Sequence, residues 1–272
     1  MKSKYFSFLF LAISILFVNN TRGQDDKSNF EPVYITVRTL HGVEGSDLEE
    51  WRAMEEEYFD KVINKIDLLL SHEVLINYFD NNLSEVKIIN VFKKWDDIEK
   101  IYNIRDDLIE KAWPNEDERK AFFEKQNSFY SNFHSDEIYT STEFGKYLSP
   151  EIKKVRKESF VFFEKTSILS DYEDDDSYKY YEKYVENVIF KNPLIRAYHP
   201  YRHFWGADSR EFIEMLVVDS MEDLEAVLKT NQDLLDKMVP DPLKRKEFLK
   251  IFEKAIEGQS TAIYKNIPSL SK

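Results

Sequence analysis

The chain of 272 residues contains no cysteine, which rules out a disulfide framework, a thiolate nucleophile and any cysteine-ligated metal. Only six glycines are present, with no glycine-rich loop to cradle a phosphate, and neither Gly-x-Ser-x-Gly nor His-Glu-x-x-His occurs. Basic residues are scarce: 38 Lys and Arg stand against 51 Asp and Glu, a net charge of −13. Such a surface repels phosphate backbones and anionic lipid, which argues against nucleic acid and membrane surfaces as partners. No largely apolar run reaches the roughly 20 residues that a bilayer span needs. The N-terminal run from Tyr5 to Val18 has 14.

That run has a different meaning. Lys2 and Lys4 precede it, and the small polar stretch Asn19-Asn20-Thr21-Arg22-Gly23 follows, the order of a secretory signal peptide. Residues 1–23 are therefore expected to be removed near Gly23, placing the protein in the periplasm or outside the cell. The exposed N-terminus would offer no cysteine to acylate. Removal takes away Lys2, Lys4 and Arg22 and no acid, lowering the net charge to −16. With no disulfide, the core must supply the stability, and 21 Phe and 16 Tyr provide the material.

Residues 107–123 and 233–249 agree at seven of 17 positions with a fixed offset of 126. The same offset pairs Tyr34 with Phe160, Tyr58 with Tyr184, Val62 with Val188, Ile63 with Ile189, Ile98 with Leu224 and Ile101 with Val227. An offset that persists over this length marks a duplication. Two modules are expected, 24–150 and 151–272, with the boundary between Phe144 and Ser159 near Pro150.

In the first copy, Val33–Thr39 is β-branched and strand-like. Ser46-Asp-Leu-Glu49 has capping-box spacing and opens a helix with Leu48, Trp51, Tyr58, Val62 and Ile66 on its apolar stripe. Val74–Tyr78 and Val86–Phe92 form a hairpin around Asp80–Asn82. A helix through Ile98, Ile101 and Leu108 follows, Pro114 opens a third helix at its first position, and a strand at Ile138-Tyr139 closes the copy. The second copy repeats this order, with a longer hairpin carrying His199–Trp205. Strand, helix, strand, strand, helix, extra helix, strand is the ferredoxin-like arrangement, with helices on one sheet face. Its other face is apolar here, and the two copies are expected to press these faces together.

A β-α-β-β-α-β module with an extra helix before its last strand, duplicated and paired through its sheets, resembles the dimeric α+β barrel superfamily. That superfamily includes antibiotic-biosynthesis monooxygenases, stress-responsive barrel proteins and tandem chlorite dismutase-like haem proteins. The resemblance implies an α+β fold, two tandem ferredoxin-like modules forming an intramolecular barrel. It rests on topology and repetition, and so implies fold more than function.

The site-like stretch is Tyr198-His199-Pro200-Tyr201-Arg202-His203-Phe204-Trp205. Arg202 is a fork donor, and His199 and His203 are candidate bases or ligands. The plainer reading is a hairpin tip covering the barrel mouth or touching the other copy; Pro200 speaks against a metal pair, and no third ligand is assignable. Arg38 and its repeat mate Glu164 are opposite charges at matched positions, expected as an ion pair across the pseudo-two-fold or else as polar groups lining a pocket. His72 and His134, in loop-like surroundings before strands, are expected at the surface. The acidic run Asp171–Asp176 lacks the alternate spacing and glycine of a calcium loop and suits a helix N-terminus.

Three functions follow as expectations. The first is an exported module, monomeric or homodimeric, that binds a small apolar or aromatic ligand between sheet and helices with Arg38, Tyr198, His199, Arg202, His203 and Trp205 and needs no cofactor. The second is a barrel-superfamily enzyme, either a cofactor-independent monooxygenase or a haem protein with His199 or His203 as axial ligand. The third is an interaction protein with a filled core.

Overall fold

The structure, a computed structural model, describes residues 30–79, 84–147, 157–168 and 175–272. The expected leader, the Asp80–Asn82 turn, the junction around Pro150 and the first acids of the 171–176 run lie outside these residues.

Eight strands form one closed antiparallel barrel in the order β1-β3-β2-β8-β5-β7-β6-β4. They are β1 (Tyr34–Gly42), β2 (Leu69–Asn77), β3 (Val86–Phe92), β4 (Tyr130–Ser141), β5 (Phe160–Ile168), β6 (Ala197–Trp205), β7 (Glu211–Val218) and β8 (Ile256–Asn266). Six α-helices are described around it: α1 (Leu48–Lys61), α2 (Trp95–Ala112), α3 (Glu116–Asn127), α4 (Asp175–Tyr184), α5 (Met221–Met238) and α6 (Pro242–Ala255). Both halves run in the same strand order. The offset of 126 recurs in the starts of β1 and β5, α2 and α5, α3 and α6, and β4 and β8.

Closure differs from two stacked sheets. The halves join edge to edge, β4 with β6 from Ile138 to Ser141 and β2 with β8 from Leu75 to Asn77. Closure satisfies edge N–H and C=O groups that a face-to-face stack would leave bare. The two apolar faces become one lumen, where Ile35, Val37 and Ile89 of the first half pack with Val161, Phe163, Ile213 and Met215 of the second. Alternate residues turn outward towards the helices, and β7 is buried along nearly its whole length because both of its faces are covered.

Local signals resolve in favour of the acceptors that reach the free helix N–H groups. Asp47, not Ser46, caps α1 by accepting from the Glu49 and Glu50 amides, while Ser46 donates to the Val43 carbonyl. Asn115 caps α3, which puts Pro114 before the cap; in the second half Asp241 accepts from the amides of Leu243 and Lys244 at α6. The His199–Trp205 stretch is strand β6 and not a hairpin tip. Pro200 lacks an N–H to give, but its carbonyl accepts from the Thr142 amide beyond β4, at 3.3 Å.

Candidate functional site

The lumen contains a cavity of about 480 Å³ at the end where β1, β2, β5 and β6 begin. Its walls are Val33, Leu75, Ile89, Val91, Val161, Ala197, Met215 and Val217, contributed by both halves. Polar groups also line it, His199, Tyr147 and Tyr201 together with the charged residues Glu31, Glu73, Lys157, Arg196 and Lys272. The His199 ring stacks on Tyr201 with centroids 6.1 Å apart and lies 5.5 Å from Tyr147. A few polar groups on a mainly apolar concave wall is the make-up of a small-molecule pocket.

The C-terminal tail forms part of the rim. Lys272 exchanges backbone hydrogen bonds with His72, its Nζ donates to the Ile66 carbonyl at 2.7 Å, and Ser271 Oγ donates to Glu73 at 2.8 Å. The tail is thereby pinned along β2.

The opposite end of the lumen is plugged by polar groups. Tyr139 donates to Glu211 Oε2 at 2.6 Å, and Lys165 bridges Glu211 at 2.6 Å. Tyr264 donates to Glu85, which Lys87 bridges at 3.2 Å. Glu85 and Glu211 are repeat mates, and each takes a tyrosine hydroxyl from the other half. Burial lifts both tyrosines far above the usual phenol range, aided by the carboxylates that accept from them. Burial also lowers Lys87, whose ammonium lies 4.9 Å over the Phe163 ring. For Glu85, burial pushes the carboxyl up, but Tyr264 and Lys87 outweigh it and leave it below its ordinary 4.5. The lumen is thus a blind pocket with a largely apolar wall, charged side chains at its open end and an ionic floor.

The six residues singled out in the sequence do not form one site. Of these, only His199 lines the lumen cavity. Tyr198 points the other way, under the second half's helices, where it donates to Glu214 and accepts from Tyr181 at 2.8 Å. Arg202 pairs in register with Thr140 and Phe212. His203 packs at the turn after β6, its Nε2 buried and 4.0 Å from Glu137 Oε2, which also accepts from the Ala207 amide. Glycine suits position 206 in that turn, because its φ of +149° is a backbone conformation that residues with a side chain rarely adopt. Trp205 is 68% exposed. The two-residue period of a strand is what disperses them, sending neighbours to opposite faces.

Arg38 pairs with Asp136 across β1 and β4, Nε to Oδ1 2.6 Å, not with Glu164. Glu164 is 1% exposed beneath the second half's helices, opposite Glu214 in the β5–β7 register. Arg38 and Glu164 occupy the same place in different halves, on outward faces that a closed barrel holds apart.

The chain does not fit haem through the proposed axial ligands. His203 Nε2 is sealed against Glu137, and His199 lies against Tyr201 with its Nδ1 buried. The sheet–helix layer of the second half is filled by Tyr181, Tyr184, Val185, Val188 and Ile189, each at most 1% exposed. Among the described residues no group of three or more His, Cys, Asp or Glu could hold a metal ion, and no helix is long and apolar enough to cross a membrane.

No protein-family model and no curated protein matches the chain. Solved structures do. A Fusobacterium nucleatum protein provisionally assigned as a monooxygenase aligns at TM-score 0.55 and 8% identity, over 87% of this chain and 93% of that one. An anthrone oxidase-like protein aligns at 0.51 and 11% over 90% and 94%, and the chlorite dismutase of Candidatus Nitrospira defluvii at 0.52 and 11% over 87% and 92%. At such identities the likeness concerns the fold alone. That shared fold is the closed antiparallel barrel of eight strands described above.

Proposed function

We propose that this chain is an exported small-molecule binding protein whose lumen holds a compact, mainly apolar ligand. The observation that carries the reading is the blind cavity of about 480 Å³, with eight apolar side chains in its wall and His199, Tyr147, Tyr201 and several charged residues among its polar lining. Two tandem ferredoxin-like copies, residues 24–150 and 151–272, supply the wall. The repeat of element starts at a spacing of 126 supports that division, and the sequence of residues 1–23 supports export. Burying a ligand's apolar surface there stabilises the complex by roughly 25 cal/mol per Å² removed from water.

The test is native mass spectrometry of freshly purified protein, followed by fluorescence titration with 1-aminoanthracene. Ala197, fully buried on the lumen wall, is the position to block. Ala197→Phe is expected to weaken the titration at least tenfold; an unchanged titration would reject the lumen as the site.

The enzyme reading draws support from the named activities of the structural neighbours, a monooxygenase class and chlorite dismutase. On this chain it would require turnover that depends on His199 or Tyr147, and a turnover unaffected by His199→Ala would remove it.

A further inference from the structure

We infer that a second, separate site lies between the sheet and helices of the first half, where His72 accepts a hydrogen bond from a neutral hydroxylated aromatic ligand. Here a cavity of about 320 Å³ opens on the outward face of β1, β3 and β2, beneath α1 and α2. Thr36, Asn90 and His72 stand in one cross-strand row on that face, Thr36 opposite Asn90 and Asn90 opposite His72. His72 Nδ1 donates to Asn90 Oδ1 at 2.6 Å, and Asn90 Nδ2 donates to Thr36 Oγ1 at 3.4 Å. A neutral imidazole with its proton held on Nδ1 keeps a lone pair on Nε2. His72 is 6% exposed, lines the cavity, and makes no other side-chain hydrogen bond among the described residues. An acceptor on a cavity-lining residue in this state gains from a ligand that brings an O–H.

The surroundings choose the rest of the ligand. Tyr58, Phe59, Phe92 and Ile101 line the cavity, which favours a flat apolar body. Arg38 at the mouth is already paired with Asp136, and Arg105 with Asp106, while the carboxyl groups of Glu55 and Glu137 also line the cavity, so the surroundings do not call for an anion. Burial keeps His72 neutral by lowering it to about 4, in line with a role as acceptor at neutral pH.

The duplication supplies an internal control. The repeat mates of Thr36, His72, Asn90 and Glu55 are Phe162, Tyr198, Leu216 and Tyr181. In the second half these belong to one aromatic and aliphatic cluster. One copy has filled the space between sheet and helices, and the other has lined it with an ordered polar row. A core under pressure only to pack would be filled in both.

The experiment uses the full mature chain with ¹⁵N-labelled histidine and two isosteric probes, 4-ethylphenol and ethylbenzene. In the free protein at pH 7, long-range ¹H–¹⁵N correlation should show His72 protonated on Nδ1. 4-Ethylphenol should shift the His72 Nε2 resonance and bind about tenfold more tightly than ethylbenzene, the worth of one buried hydrogen bond. His72→Phe should equalise the two probes while retaining ethylbenzene. Asn90→Leu, which frees the ring, should reduce the preference and bring both tautomers into the spectrum. A His72 proton on Nε2, equal binding of the probes to wild type, absence of phenol binding, or a shift confined to His199 would each overturn the assignment. The last of these would place the ligand in the lumen and leave the lumen reading standing.

Discussion

Replacing Glu164 by Gln probes how the second half tolerates an acid in its packed layer. The carboxyl is 1% exposed and faces Glu214 across the β5–β7 register. Its Oε1 accepts from Gln259 Nε2 at 2.7 Å, while Oε2 is buried with no hydrogen-bond partner among the described residues. Glu214 takes the Tyr198 hydroxyl, so the network favours the charge on that member of the pair. Burial lifts Glu164 from its ordinary 4.5 to about 8, and the Gln259 hydrogen bond only partly opposes it. Between those values the folded state holds a proton that the unfolded chain gives up, so stability falls as pH rises from 4.5 to 8. At about 1.4 kcal/mol per pH unit, the loss is at most about 5 kcal/mol over the window and about 3 kcal/mol at pH 7. Glu164→Gln keeps the shape and the Oε1 acceptor and removes the titration. Urea unfolding followed by tryptophan fluorescence should find variant and wild type nearly equal at pH 4.5, and the variant up to about 3 kcal/mol more stable at pH 7. Parallel stability curves for the two proteins would refute the reasoning.

The seam clasps should differ in worth. Tyr139→Phe strips a donor from the well-buried Glu211 and is expected to cost about 2 kcal/mol, whereas Tyr264→Phe, beside the more exposed Glu85, should cost about 1 kcal/mol; equal losses in chemical denaturation would contradict this. His72 acts with the opposite pH sign to Glu164. Its buried neutral ring, lowered from 6.5 to about 4, makes stability fall as pH drops through that interval, by at most about 3 kcal/mol. His72→Gln should flatten the acid limb of the urea midpoint, and an unchanged slope would count against burial as the cause. Asp47→Ala and Asn115→Ala should each cost about 1 kcal/mol, while Ser46→Ala should change little, as its hydroxyl does not cap the helix; thermal melts decide this. Hemin added to the purified chain should give no Soret band that is lost on His199→Ala or His203→Ala; such a band would overturn the poor fit found at these residues.

Much of the architecture could be read from residue patterns. The recurrence of Tyr34 as Phe160 and of Ile98 as Leu224 at one spacing is matched by the recurrence of element starts at the same spacing, and it marks the order of elements without any contact being known. Strand β6 was harder, because Pro200 and a crowd of aromatic and charged residues look like a loop. Its neighbours' acceptors, rather than its own composition, make it a strand. The row Thr36–Asn90–His72 was missed because its members come from three strands and meet only in the sheet register. The comparison of repeat mates was the one sequence signal that could have pointed to it: polar residues in the first copy stand where Phe162, Leu216 and Tyr198 stand in the second.

The sequence by itself determined the periodicities, the duplication, the charge balance and the chemistries that lack their residues. These are properties of spacing along the chain and of composition, and need no third dimension. Only the tertiary structure decided how the two halves close, which of Tyr198–Trp205 share a face, and where Arg38 and Glu164 find their surroundings. Barrel closure is a matter of satisfying edge backbone groups between segments more than a hundred residues apart, and those groups are the same for every residue type. The lumen, its tyrosine–glutamate floor and the unequal filling of the two helix layers all follow from that closure.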